Sequence, residues 1–379
     1  MFSRKQPSLP SKVLVFGAGN FGSCLASHLG DSQHQVYLWA REPFLIQHFN
    51  AHHRNSMYLK NHQFPETITA IGPEMPTKEF IDDMDVLLFA IPTQFLRQNL
   101  VTLHPLLDVN NMPLLIFVNK GIEVGTQALT LEIIADTCGA DVAKAAAFIS
   151  GPSFAAEIVE RLPTSVTVAS FTESEAKKAS ELFHQPHFRC YTNSDPIGIE
   201  LSGALKNVYA IAAGMSDGLG FKNNTRAMII TRGLAEMTCI GTAYGASPLT
   251  FLGLAGVGDL FLTCSSSNSR NYTVGYRLGA GESLDVITKT LGSVAEGVST
   301  TKGVKKYIDE LGIQAPIANS VYEVLYEGKD TRLAVRELME LPPSRELELP
   351  PTAGGPARQL MRKLGLENRE QSWPLSIFK

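Results

Sequence analysis

The stretch KVLVFGAGNFG, residues 12–22, places four apolar residues (Val13, Leu14, Val15 and Phe16) directly before a turn with glycines at 17, 19 and 22. An apolar run this short and continuous suits a strand buried on both faces. The glycines fit the pattern GxGxxG, and a helical pattern carrying Leu25 and Leu29 follows them. GxGxxG alone is a weak signal, because glycine-rich turns are common. Between a strand and a helix it describes a tight turn, a backbone open to a pyrophosphate, and a helix N-terminus aimed at an anion. The expectation is dinucleotide binding by Gly17, Gly19, Asn20, Phe21 and Gly22, with Asn20 and Phe21 at the crest of the loop.

Outward from this unit the same rhythm continues. Apolar runs recur at residues 36–40, 85–91, 114–118, 146–150 and 164–169, separated by helical patterns. One of these spans 93–107, where Phe95, Leu96, Leu100 and Leu103 share a face. Strands alternating with helices predict an α/β fold with a doubly wound parallel sheet of the Rossmann type, over residues 1–194. From 195 to 339 the strand signals stop and Ala-, Gly- and Leu-rich helical segments take over. Leu201, Leu205, Val208 and Ala212 mark one buried helix face, and Asn223 or Asn224 suits the cap of a helix running towards Tyr244. This part reads as a separate all-helical domain. Residues 340–379 contain Pro342, Pro343, Pro350, Pro351 and Pro356. Proline removes backbone donors, so the tail is expected to be peripheral or disordered, with one short helix over 357–364.

The 379 residues fit two or three domains, and 44% hydrophobic with 18% charged residues is enough to bury a core. With 33 Lys and Arg against 37 Asp and Glu, the net charge is −4, which argues against a nucleic-acid partner. No apolar run reaches the ~20 residues of a membrane span, and the N-terminus lacks the apolar stretch of a secretory signal. The five cysteines (Cys24, Cys138, Cys190, Cys239 and Cys264) are scattered without a CxxC pair, and the histidines form no HExxH signature. The expectation is a reduced cytoplasmic protein without a metal site.

Other residues stand where chemistry is expected. Arg41 follows the second apolar run, where an NAD-specific fold usually carries an acid for the ribose 2′-hydroxyl. Arginine suits a 2′-phosphate or an adenine face, which tilts the cofactor from NAD towards NADP, although the neighbouring Glu42 could simply neutralise it. Lys120 follows the run 114–118 and projects from the carboxyl end of a strand, unless it is only a solvated loop lysine. After the run 146–150, Gly151 and Pro152 make a turn in which Ser153 could cap a helix starting at Phe154. Lys206 lies in an otherwise apolar helix, where it is either desolvated and fit for proton transfer or snorkels to the surface. Asp259, among glycines and apolar residues, needs a cationic partner. The small polar loop 265–271 ends in Ser269, Arg270 and Asn271, a donor set suited to a phosphate, or else a flexible linker.

Taken in order, GAGNFG, NKGIE, SGPSFAAEI, ELSGALKNVYAIAAGMSDGLG, NNTRAMIITRGLAEM, GLAGVGDLFLTC, SRN and VAEGVSTTKGV resemble the NAD(P)-dependent glycerol-3-phosphate dehydrogenase family in its soluble bacterial form. The resemblance covers about residues 12–339 and leaves the tail unassigned. It implies reversible reduction of dihydroxyacetone phosphate to sn-glycerol 3-phosphate, a precursor for glycerophospholipid synthesis, with NAD or NADP as cofactor. It makes Lys206 the proton donor and acceptor, oriented by Asp259, and places Lys120 against both substrate and cofactor. It adds Gly151, Ser153, Asn207, Thr263, Ser269, Arg270 and Asn271 to the substrate site. Ala155, Arg270, Val294 and Glu296 match cofactor-contacting positions. Asn119 departs from the family, which more often has Ser or Thr there. Two other readings are a related two-domain dehydrogenase acting on another small acid or ketone, and a non-catalytic dinucleotide sensor. A homodimer is the default assembly.

Overall fold

The structure, a computed structural model, describes residues 10–108, 111–291, 295–342 and 355–366. Eight strands form one sheet: β1 (Lys12–Phe16), β2 (Gln35–Trp39), β3 (Ile68–Ile71), β4 (Val86–Phe89), β5 (Leu114–Phe117), β6 (Ala147–Ser150), β7 (Thr164–Ala169) and β8 (Phe188–Asn193). Their order is β3-β2-β1-β4-β5-β6-β7-β8. Every neighbouring pair is parallel except β6 and β7, which run antiparallel. The strand order reverses between β1 and β4, so the crevice for a ligand lies beyond their carboxyl ends. Phe16, Phe89, Phe117 and Phe148 stack in a row across β1, β4, β5 and β6, with ring centroids 5.0, 4.6 and 5.7 Å apart. This row closes one face of the central strands.

Two strands escaped the apolar-run reading, and they are the two edges of the sheet. β3 (Ile-Thr-Ala-Ile) exposes Thr69, and β8 (Phe-Arg-Cys-Tyr-Thr-Asn) leaves most of its side chains exposed or half-buried. Edge strands carry polar residues because one side meets water.

The chain forms two compact units, Met1–Lys120 with Lys144–Pro196, and Gly121–Ala143 with Ile197–Lys379. The segment 121–143, which sequence rhythm assigned to the first domain, belongs to the helical unit. Its anchors explain this. The Glu200 carboxylate accepts from Leu131 N at 3.1 and 3.3 Å, Tyr244 OH donates to Glu132 at 2.8 Å, and Tyr307 OH donates to Gln127 O. Strand–helix alternation cannot tell which unit a connecting helix packs on.

In the helical unit, the helix Pro196–Gly218 buries Leu201, Leu205, Val208 and Tyr209, while Ala212 is only half-buried. The helix Asn223–Ala243 starts one residue before the expected asparagine caps could act: Lys222 holds the cap position and no side chain caps the end. The tail is not wholly peripheral. Its helix Gly355–Lys363 packs on the helix Thr130–Cys138, burying Leu360 and Leu364 and pairing Lys363 with Asp136 at 2.5 Å. Leucines four apart, Leu360 and Leu364, supply the apolar stripe that proline content did not reveal. The rest of the tail, 343–354 and 367–379, lies outside the described residues. Among the described residues no helix is long and apolar enough to cross a membrane.

Candidate active site

In the first unit, Gly17 has φ +111° and its N–H donates to Trp39 O at 3.1 Å. Only glycine adopts this conformation readily. A Cβ on Gly22 would lie 1.9 Å from Gly17 O, so the helix Asn20–Asp31 can approach the turn only because residue 22 has no side chain. Gly19 holds the helix cap position with nothing within 4 Å of where a Cβ would be, and no side chain caps the helix. The first N–H groups of this helix are therefore left to an external acceptor. These three glycines fit the pyrophosphate of a dinucleotide.

Lys120 approaches the same turn. Its Nζ lies 5.7 Å from the centroid of the Phe21 ring and 3.4 Å from Gly151 O. Ser153 does not cap a helix: its hydroxyl donates to Gly151 O at 2.8 Å, and Phe154 holds the cap position of the helix Ala155–Val159. The serine stands one residue too early in the chain. Arg41 is exposed, 3.5 Å from Glu42 and 5.7 Å from the Phe95 ring centroid. Phe95 itself is exposed rather than on the buried face that Leu96, Leu100 and Leu103 share.

The second unit gathers most of the remaining candidates. Lys206 is 6% exposed, which settles burial over snorkelling. Its Nζ donates to Asp259 Oδ1 at 2.7 Å and to Thr263 Oγ1 at 2.8 Å, and the Thr263 hydroxyl in turn donates to Asp259 O at 2.6 Å. Asp259 opens the helix Asp259–Cys264, so Thr263 stands one turn on, on the same face. Cys264 is buried beside this pair, and burial pushes its thiol far up, keeping it protonated.

Ser269 caps the helix Arg270–Gly279, accepting from Tyr272 N at 3.2 Å, and Arg270 is exposed in its first turn. Asn271 Oδ1 accepts from Gly297 N at 2.9 Å. A Cβ on Gly297 would lie 2.6 Å from Asn271 Oδ1 and 2.8 Å from Asn207 O, so this glycine joins Asn271 to the residue after Lys206. Asn207 Nδ2 donates to Gly203 O at 3.3 Å. Glu296 opens the helix Glu296–Leu311. Val294 lies outside the described residues. Sequence reading missed Gly297, since a single glycine in a helix gives no sign of what it touches.

His48 and His52 stand one turn apart with ring centroids 4.7 Å apart, but no group of three metal-ligating side chains forms among the described residues.

Residues 12–176 match the family model described as the NAD-dependent glycerol-3-phosphate dehydrogenase N-terminus, and residues 195–336 match the corresponding C-terminus. The chain belongs to this dehydrogenase family. It is 40% identical over 333 residues to the glycerol-3-phosphate dehydrogenase (NAD(P)+) of Levilactobacillus brevis, covering 88% of this chain and 98% of that one. The enzyme of the same name from Citrifermentans bemidjiense is 42% identical over 331 residues, 87% of this chain and 97% of that one. Among solved structures, glycerol-3-phosphate dehydrogenase from Coxiella burnetii superposes with a TM-score of 0.81 at 35% identity, covering 87% of this chain and 99% of that one. Both family models end before the tail helix.

Proposed function

We propose that this chain reduces dihydroxyacetone phosphate to sn-glycerol 3-phosphate, reversibly and with NAD(P)H, in the cytoplasm and as a homodimer. The observation that carries the reading is the buried Lys206–Asp259–Thr263 set in a chain of this family. A dinucleotide sensor has no use for a proton donor held this way.

The nicotinamide, when bound, supplies the hydride that converts the C2 carbonyl to an alcohol. Lys206 Nζ meets the negative charge that develops on the C2 oxygen and gives it a proton, which combines electrostatic stabilisation with general acid catalysis. The resulting neutral amine takes a proton back before the next turnover, and in the oxidative direction it removes the hydroxyl proton. Asp259 and Thr263 fix Nζ, so its direction is set before substrate arrives. Lys120 adds a second positive charge near the reacting carbon, with Gly151 and Ser153 beside it. Arg270 and Asn271 take the substrate phosphate, with Asn207 and Ser269 shaping that site. Gly17, Gly19, Asn20, Phe21 and Gly22 hold the pyrophosphate side of the cofactor, and Ala155, Glu296 and Arg270 contribute further contacts. Arg41, exposed just beyond β2, would meet a 2′-phosphate, which favours NADP.

The test is oxidation of NADH and NADPH, side by side, with dihydroxyacetone phosphate. Turnover with at least one is expected, and none with either overturns the reading. A strong preference for NADH overturns the role given to Arg41. Non-phosphorylated ketones should be poor substrates, which separates this activity from a related dehydrogenase of the same build.

A further inference from the structure

We propose that Asp217 and Tyr272 are positioning residues for the substrate phosphate, acting through Arg270 and Asn271; this rests on the reading of those two as phosphate contacts. Tyr272 directly follows Arg270 and Asn271 in the chain. Its N–H is bonded to Ser269 Oγ at 3.2 Å, and its phenol donates to Asp217 Oδ2. The same oxygen accepts from Arg226 Nε at 3.0 Å and Nη2 at 2.5 Å. The Asp217 side chain is 7% exposed, so its charge is held by the guanidinium and the phenol rather than by water.

Three helices meet at this carboxylate: Pro196–Gly218 brings Asp217, Asn223–Ala243 brings Arg226, and Arg270–Gly279 brings Tyr272. Backbone packing fixes the same contact, because a Cβ on Gly214 would lie 2.0 Å from Tyr272 O. Tyr272 is thus tied at its amide, its carbonyl and its phenol, and Asn271 is tied to Gly297 N at 2.9 Å. The first turn carrying Arg270 has little freedom left. Asp217 lies eleven residues beyond Lys206 on one helix, about 16 Å at 1.5 Å per residue, so it takes no direct part in proton transfer. Burial, and then the bond to Asp217, push the Tyr272 phenol up to about 12, so it stays a donor throughout the neutral range.

The experiment measures kcat, the KM for dihydroxyacetone phosphate, the KM for NADH, and competitive inhibition by inorganic phosphate. The variants are Tyr272→Phe, Asp217→Asn, Arg270→Ala and the double variant Tyr272→Phe with Arg270→Ala. Tyr272→Phe removes one oxygen and keeps the ring, so it carries the test even where Asp217→Asn folds poorly. For Tyr272→Phe we expect the substrate KM and the phosphate inhibition constant to rise together by about five- to tenfold, less than the roughly tenfold or more for losing a charge-assisted bond to the ligand itself, because the phenol bonds Asp217 and acts on the phosphate only indirectly. Its kcat should stay within about twofold of the unmodified enzyme, and its NADH KM should rise less than the substrate KM because Arg270 is only one of several cofactor contacts, a split that general loosening of the fold would not give. In the Arg270→Ala background the added effect should shrink to less than about threefold, because the part that runs through Arg270 is gone and only the part through Asn271 remains. Unchanged substrate KM and phosphate inhibition in Tyr272→Phe overturns the proposal, as does a full multiplicative effect in the double variant. An Arg270→Ala enzyme with normal substrate KM overturns the phosphate-site reading itself, and does so without reference to Tyr272.

Discussion

Two neighbouring glycines of the first turn should respond to the same substitution in opposite ways. In Gly22→Ala the new methyl would begin 1.9 Å from Gly17 O. An ordinary contact needs about 3 Å or more, so that oxygen or the helix must move by about 1 Å. Gly17 has little room to yield, with φ +111° and its N–H bonded to Trp39 O. Overpacking of this kind costs about 1–3 kcal/mol, which lowers the melting temperature of a chain this long by several degrees. In Gly19→Ala the methyl enters space empty to 4 Å, at φ −73° and ψ −176°, which alanine adopts freely. The fold should lose no more than about 1 kcal/mol, the difference between glycine and alanine at a helix cap. That empty space is, however, where we propose the cofactor pyrophosphate approaches the backbone. Losing one charge-assisted hydrogen bond there costs about 1.5–3 kcal/mol, a rise of about ten- to a hundredfold in Kd. The assay is fluorescence titration with NADH, together with thermal unfolding with and without it. At a hundred times the unmodified Kd, NADH stabilises the unmodified protein by about 2.7 kcal/mol; a hundredfold weaker variant keeps only about 0.4 kcal/mol at the same concentration. Gly19→Ala that folds normally and binds NADH as tightly as the unmodified protein would refute the placement of the cofactor on this turn.

Lys206→Ala should lower kcat by about a hundredfold or more while NADH titration is unchanged, and retained turnover in a folded variant would remove its role as acid. Glu200→Gln tests the buried anchor of the segment 121–143: burial pushes the Glu200 carboxyl up from 4.5 to about 8. Between those values the folded state holds a proton that the unfolded state has lost, so the unmodified protein should lose stability as pH rises from about 5 to 8, by up to a few kcal/mol. The glutamine variant should show a shallower loss in urea midpoint across that range, with Glu236, pushed up to about 7, leaving a residual slope of the same sign; an unchanged slope counts against the argument. Truncation after residue 342 exposes the apolar stripe that buried Leu360 and Leu364 rest on, and should lower the melting temperature by a few degrees with kcat intact. An unchanged melting temperature would mean that the tail helix adds nothing to stability.

Much of the sheet was legible because β1, β4, β5 and β6 are buried at nearly every position, and such strands must be written in continuous apolar residues. The edges β3 and β8 were not, because a strand facing water on one side mixes polar residues into its pattern. The candidate site was legible only as separate motifs. Composition around Lys206 left burial and snorkelling open, and what decided between them is a carboxylate 53 residues away, at 2.7 Å. No local pattern encodes that distance. The same limit hid Asp217, whose partners Arg226 and Tyr272 come from two other helices.

A common device explains several of these failures. The helices Thr130–Cys138, Pro316–Tyr326 and Glu296–Leu311 have Leu129, Ala315 and Ala295 in their cap positions, none with a side-chain oxygen. None therefore has a cap side chain to take its first amides, although Pro316 opens one of them and in another Glu132 accepts from Leu129 N at 2.9 Å. Their first amides are satisfied from elsewhere in the chain. Glu200 accepts from Leu131 N at 3.1 Å, Glu236 accepts from Ile317 N at 2.8 Å and Ala318 N at 3.1 Å, and Asn271 accepts from Gly297 N at 2.9 Å. Each bond fixes one element against another while removing an orphan donor. Two of the three acceptors are acids, and in both burial raises the carboxyl more than the amide bonds lower it. The third is a neutral amide, and its place accounts for the difference. An aspartate at 271 could accept from the same N–H, but it would set a negative charge next to Arg270, the residue we propose takes the substrate phosphate. A carboxyl buried away from cations, as Glu200 is, holds its proton towards neutral pH, whereas one beside Arg270 would be drawn to ionise and would oppose the proposed ligand, so an uncharged acceptor is the one that serves both the helix and the anion.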